Sequence, residues 1–271
     1  MKVLILSGNH PRHFFYFSGV LKNFDVVGVV CVLREEMLPV PPPGILPADA
    51  KNFERHFKDR FIAEQKYFST ITAQEAWGAV PVEYCTPESF NSEKVVAFVK
   101  AAQADVALVY GTELIQESLL NALPQDKLNM HGGLSPWYRG TATLFWPFYN
   151  MQPQYSGSTL HFVIPQVDAG IIVHQSVPAL AKGDGIHDVA CKTVIQSQAD
   201  LGALLSLRAS TGHFEGVEQR STGRIYRKKD FRPEHLRVIY DLFNNDMVDA
   251  YLRGELMQEA PVIVNGLKNH E

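Results

Sequence analysis

The stretch Leu128-Asn129-Met130-His131-Gly132-Gly133 carries a carboxamide and an imidazole two residues apart. In a β-strand such residues share a face, so Asn129 and His131 project together while Met130 packs behind them. An amide beside an imidazole is what addition to a carbonyl requires. The amide hydrogen-bonds the oxygen that gains negative charge, and the imidazole donates or accepts a proton near neutral pH. Gly132 and Gly133 then let the backbone turn sharply or approach a ligand closely. On its own, a polar Asn-x-His at a strand end is structural about as often as it is functional.

Other chemistries find little support. The first apolar run ends in Ser7-Gly8-Asn9-His10-Pro11, with one glycine where a dinucleotide cradle needs three. Neither a P-loop, an H-E-x-x-H nor a G-x-S-x-G pattern occurs. The ten histidines do not cluster at metal-ligand spacing, and no metal is expected. His161 and His174 flank Asp168, and a structural role is expected for both. Cys31, Cys85 and Cys191, odd in number and far apart, read as free thiols of a reducing compartment.

The elements that must position the pair follow from periodicity. Short runs at 2–6, 26–33, 80–84, 106–110 and 128–131 are apolar at nearly every position, as suits strands covered on both faces. Helical patterns at 12–22, 87–103 and 113–121 alternate with them, which predicts an α/β, Rossmann-like, mostly parallel sheet with helices on both faces. In that architecture Asn129 and His131 stand where a parallel strand ends, the edge at which open α/β sheets bind ligands.

An insertion at about 35–76 interrupts the rhythm. Five prolines in 35–47 make a surface loop, and Phe53, Phe57, Phe61, Phe68 and Ile71 then form an aromatic stripe on an amphipathic helix. Period-two patterning from 159 to 178 predicts a strand pair turning at Val167-Asp168-Ala169-Gly170, and a long helix is expected over 185–207. Residues 206–271 read as a small C-terminal hairpin-and-helix appendage to a catalytic domain of residues 1–205. The appendage is basic around 219–237 and acidic after it, with seven acids against three bases over 234–271.

Composition sets the outer bounds. The 271 residues are 46% hydrophobic and 20% charged, enough for a large core, and the formal charge of −4 gives no prior for a polyanion partner. The apolar start at Val3–Leu6 is too short for a signal peptide, and no run approaches the ~20 residues of a membrane helix. A cytoplasmic protein without a membrane or nucleic-acid partner is expected.

The run Asn129 to Gly140, with its Leu134-Ser135-Pro136 loop, together with Val167-Asp168-Ala169-Gly170 and Tyr110 to Ile115, resembles the folate-dependent N-formyltransferases in motif order and spacing. The resemblance covers about residues 1–205 and is closest in layout to the amino-sugar N-formyltransferases. It implies Asn129, His131 and Asp168 as the catalytic three and 10-formyltetrahydrofolate as formyl donor. The donor contacts it implies are Glu113, Leu114, Ile115, Thr141, Ile164, Pro165, Gln166, Val167 and Asp168. Asn9, Arg12 and Tyr110 are the candidate acceptor contacts. In this reading Asp168 raises the pKa of His131 by proximity of charge. Gly133, Ser135 and Trp137 depart from the family's usual loop, which bears on the acceptor more than on the chemistry.

Three acceptors compete. Glycinamide ribonucleotide would call for a glycine-rich phosphate loop after the first strand, and Ser7 to Arg12 lacks one. Methionyl-tRNA would call for a broad basic surface, and the only candidate is Arg220, Arg224, Arg227, Lys228, Lys229 and Arg232, in a tail too short for a further β-barrel. A small amine, above all a nucleotide-linked amino sugar, is favoured. Hydrolysis of formyltetrahydrofolate is the alternative of another class. The apolar stripe Leu236, Ile239, Leu242, Phe243 is expected to serve a homodimer.

Overall fold

Seven strands form one sheet in the order β3-β2-β1-β4-β5-β7-β8. They are β1 (Lys2–Gly8), β2 (Asp25–Val32), β3 (Val82–Cys85), β4 (Val106–Tyr110), β5 (Asp126–His131), β7 (Ser158–Phe162) and β8 (Ile172–Ser176), with β6 (Tyr138–Gly140) standing apart. The computed structural model describes residues 1–33, 38–69, 73–221 and 223–268. β1 to β5 run parallel, and β7 pairs antiparallel with β5 and with β8. The Rossmann-like α/β class expected from periodicity is the observed one.

Both faces of the sheet are covered, which explains why its strands read as continuous apolar runs. On one side α1 (Pro11–Asn23), α2 (Pro47–Phe68), α3 (Ala73–Trp77) and α7 (Ile186–Thr211) bury Ile5, Phe17, Leu108, Leu128 and Leu205. On the other α4 (Glu93–Ala102) and α5 (Glu117–Ala122) bury Leu4, Leu6, Val95, Val109 and Leu119. The strand order reverses between β1 and β4, so a crevice opens beyond their carboxyl ends.

Two expected helices start late, each because side chains capture the backbone first. Thr86 and Ser89 close a hydroxyl turn, Thr86 N–H donating to Ser89 Oγ at 2.9 Å, and the helix expected from Pro87 begins at Glu93. Asn91 accepts from Gln116 N–H at 2.8 Å and donates to Leu114 C=O at 3.1 Å. That clamp keeps Glu113–Ile115 extended on the crevice wall, where a helix from 113 was expected. The stripe on α2 is packed through Phe53 and Phe68, while Ile71 lies outside the described residues.

Among the described residues the tail forms no hairpin. Its strand β9 (Arg224–Tyr226) pairs in parallel with β6 of the core, and α7 continues through 205 to Thr211. Parallel strands cannot be joined by a tight turn, so the partner had to come from elsewhere. Gly140 makes the pairing possible: at φ +94° it brings its Cα so close to Tyr226 that a Cβ would stand 2.1 Å from the Tyr226 carbonyl oxygen. The chain then forms a π-helical turn, Val238–Leu242, and α8 (Met247–Leu252). Leu236 and Ile239 are fully buried in a cluster with Phe53 and with Phe145 and Trp146, the latter in α6 (Trp146–Tyr149). The stripe expected to serve a homodimer thus finds its cover within the chain, and Leu242 alone of the two outermost leucines remains two-thirds exposed, at 67%.

Among the described residues no helix is long and apolar enough to cross a membrane, and no group of three or more His, Cys, Asp or Glu could hold a metal ion. The three cysteines are buried free thiols.

Candidate active site

Asn129 and His131 emerge side by side from the end of β5, as the period-two argument requires. Asp168 comes from the connection between β7 and β8 and takes a left-handed conformation, φ +48°, which aims its short side chain back at the sheet. Its Oδ2 accepts from Gly140 N–H at 2.8 Å and stands 3.4 Å from His131 Nδ1. The same Gly140 that admits β9 therefore also fixes the carboxylate.

His161, expected to be structural, belongs to this cluster. It lies directly across from Asn129 in the β5–β7 ladder. Its Nδ1–H donates to Phe162 C=O at 2.9 Å, so Nε2 accepts from the Asn129 amide at 3.2 Å, and Nε2 is 3.4 Å from Asp168 Oδ1. The antiparallel register of β7 against β5 was the missing information, because 32 residues separate the two side chains in sequence. His174 is structural, as expected, facing Asp200 at 3.2 Å.

His131 Nε2–H donates to the Tyr138 carbonyl at 2.8 Å, which leaves Nδ1 to face Asp168. Burial lowers the pKa of His131 below its ordinary value, and Asp168 and the Tyr138 carbonyl only partly oppose this. The expected raising effect of Asp168 is present but outweighed by burial. For Asp168 itself burial favours the neutral acid, yet His131, His161 and the Gly140 N–H together overcome it and hold the carboxyl below the usual carboxylate range. Imidazole and carboxylate 3.4 Å apart can share one proton.

The cluster forms the floor of a cleft of about 510 Å³. Lining it are Glu113, Leu114 and Ile115, then Ile164, Gln166, Val167 and Asp168, together with Arg12, Tyr110 and Thr141. Of the residues marked from the sequence, Asn9 and Pro165 do not line it. Pro165 faces a neighbouring groove, and the turn at Asn9 is drawn away by its neighbours: His10 Nδ1 meets Glu64 Oε2 at 2.5 Å, and His13 Nδ1 accepts from His10 N–H at 3.3 Å.

A second chamber of about 310 Å³ adjoins the cleft at Arg12, Tyr110, Gly132 and Thr143. It runs between α2 and α7 and was not foreseen. Phe57, Phe145 and Phe231 supply its aromatic walls, and Arg12, Arg60 and Glu64 its charges. Burial disfavours the charged Glu64, but Arg12, then His10 and Arg60, prevail and hold its pKa at about 2. His56 and His187 face each other there with ring centroids 4.5 Å apart, and burial lowers both, His187 to about 4. The aromatic stripe on α2 was legible as packing; that one edge of it walls a chamber depends on where α7 lies.

These shifts have a consequence for stability. The unfolded chain protonates its histidines near pH 6.5, whereas folded His56, His131 and His187 resist protonation, so below 6.5 the unfolded state binds more protons. Stability should be level above pH 7 and fall from about pH 6.5 toward 4, by up to ~1.4 kcal/mol per pH unit for each histidine in its window. Asp168 and Glu64, with lowered carboxyl values, add a loss of the same sign below about pH 4.5. Urea midpoints across pH 4.5–8 test this, and a constant midpoint would contradict it.

The fold is a Rossmann-like α/β sheet with a carboxamide, two imidazoles and a carboxylate gathered beside its cleft. Residues 53–201 match the family described as formyl transferase, and the chain belongs to that family of formyl-transferring enzymes. Solved structures share the fold at low identity. A sugar N-formyltransferase from a Shewanella species is 17% identical with a TM-score of 0.55, covering 88% of this chain and 87% of its own. A 4-N formyltransferase from Francisella tularensis is 14% identical with a TM-score of 0.55, covering 85% and 77%. A phosphoribosylglycinamide formyltransferase from Bacillus halodurans is 18% identical with a TM-score of 0.53, covering 79% and 97%.

Proposed function

We propose that this enzyme moves the formyl group of 10-formyltetrahydrofolate to the amine of a small molecule, a nucleotide-linked amino sugar. The observation that carries the reading is the meeting of Asn129, His131 and Asp168 in a cleft that adjoins, at Gly132 next to His131, a second space of different character. The cleft suits the donor. Leu114, Ile164 and Val167 are apolar yet 62%, 38% and 41% exposed on its walls, as a slot for a flat pterin ring demands, with Glu113 beside them in the lining. The chamber suits the acceptor, since two guanidinium groups against one carboxylate favour an anionic ligand, and the aromatic walls favour rings.

In this account the amine attacks as the free base, its lone pair forming a new N–C bond to the formyl carbon. The carbonyl oxygen takes the negative charge, and the second N–H of Asn129, not committed to His161, faces it. Such a preorganised donor is worth about 3 kcal/mol of barrier. Asp168 takes the proton released by the attacking nitrogen and shares it with His131 Nδ1, whose Nε2–H is already placed on Tyr138. Collapse restores the carbonyl, breaks the bond to the donor nitrogen and returns the proton to that nitrogen, leaving tetrahydrofolate and a formamide.

Two alternatives fit less well. A Cβ on Gly8 would collide with the His13 ring at 2.6 Å, so the turn after β1 is already filled and offers no phosphate cradle of the kind glycinamide ribonucleotide calls for. The tail strand found among the described residues is committed to β6 of the core, so it belongs to this fold and not to a separate tRNA-reading module.

The test is a thermal-shift screen of UDP-, dTDP-, GDP- and CMP-linked amino sugars with tetrahydrofolate present. At least one should raise the unfolding midpoint, a ligand at 100 times its Kd adding about 2.7 kcal/mol, and Arg12→Ala should suppress the shift. No response from any nucleotide sugar would sink the acceptor assignment.

A further inference from the structure

The basic run of the tail has no role in the chemistry above, yet the fold brings part of it to the donor. Because β9 joins β6 rather than a neighbour of its own, Arg227 and Lys228 come to line an open groove of about 670 Å³. That groove shares Gly140, Thr141, Gln166 and Val167 with the donor cleft, so the two adjoin across these residues. The wall between them is firm, because the Arg139 guanidinium donates to the Val167 carbonyl at 3.2 Å.

The electrostatics of the two exits from the cleft differ. In the acceptor chamber both guanidinium groups pair with one buried carboxylate, Glu64, which offsets part of their charge. In the groove Arg227 and Lys228 are exposed and have no ion-pair partner among the described residues, and the nearby Asp230 carboxylate is occupied by the Arg227 backbone N–H at 2.7 Å. Folates carry a chain of γ-linked glutamates at the end remote from the pterin, each adding a carboxylate. With the pterin in the cleft, such a chain would leave by the open exit that bears uncompensated cations.

We propose that the groove between the 165–167 loop and β9 seats the oligo-γ-glutamate tail of the folate donor, with Arg227 and Lys228 facing its carboxylates. This rests on the folate reading of the cleft, and it makes the C-terminal strand part of donor recognition.

The test is equilibrium titration of tetrahydrofolate monoglutamate and triglutamate, without acceptor, followed by intrinsic fluorescence. Two extra exposed charge pairs should tighten triglutamate binding about five- to tenfold over the monoglutamate, an advantage that shrinks as salt is raised. In the Arg227→Gln/Lys228→Gln double variant, shown by its thermal transition to be folded, the ratio should fall to near one. Equal affinity for both folates in the unaltered protein, or a ratio that survives the double substitution, would overturn the tail site while leaving the donor reading intact. Binding of neither folate would overturn both.

Discussion

Asp168→Asn should lower turnover by about 10²- to 10⁴-fold, the usual span for a lost acid–base group, or ~3–5 kcal/mol of barrier. The substitution is nearly isosteric, and an amide oxygen can still accept from the Gly140 N–H, so the left-handed turn and the β6–β9 junction should persist. What disappears is the charge. The proton leaving the attacking nitrogen then has no anionic acceptor, and His131 loses the one carboxylate that offsets its burial. Tetrahydrofolate affinity, carried by the cleft walls, should change little. Steady-state rates beside an equilibrium folate titration separate these effects. Loss of folate binding in step with turnover would mean that Asp168 is a donor contact and not a proton acceptor.

His131→Ala should cost about as much activity, again 10²- to 10⁴-fold, through a different defect. Without the imidazole, Asp168 has nowhere to pass its proton. This variant should also be less stable, because a buried ring is replaced by a cavity and the Tyr138 carbonyl loses its N–H donor, together about 2–4 kcal/mol. Kinetics therefore belong well below its own unfolding transition. Near-native turnover in the folded variant would remove His131 from the chemistry.

Much of this site can be read from sequence, for definite reasons. Asn129 and His131 are two residues apart on one strand, so local geometry alone aligns them. The apolar runs of β1, β2 and β4 announce a sheet covered on both faces. Asp168 was reached only through resemblance, since an Asp-x-Gly turn looks the same whether or not its side chain points at a histidine. His161 was missed because its position depends on the β5–β7 register. The tail was misjudged for a related reason: a three-residue strand carries no sign of its partner, and β9 pairs with a strand 86 residues earlier, Tyr138 facing Arg224. The second chamber needed the packing of α2 on α7, which periodicity reports as burial without saying what is left open.

The most direct measurement follows the one-carbon unit itself. The enzyme is given 10-formyltetrahydrofolate labelled with ¹³C in the formyl group, together with the nucleotide-linked amino sugar that stabilises it most, and the products are read by NMR. The account predicts a formamide carbon on the sugar nitrogen, appearing in step with tetrahydrofolate. Label found only in formate, at a rate indifferent to the amine, would contradict it and make water the acceptor.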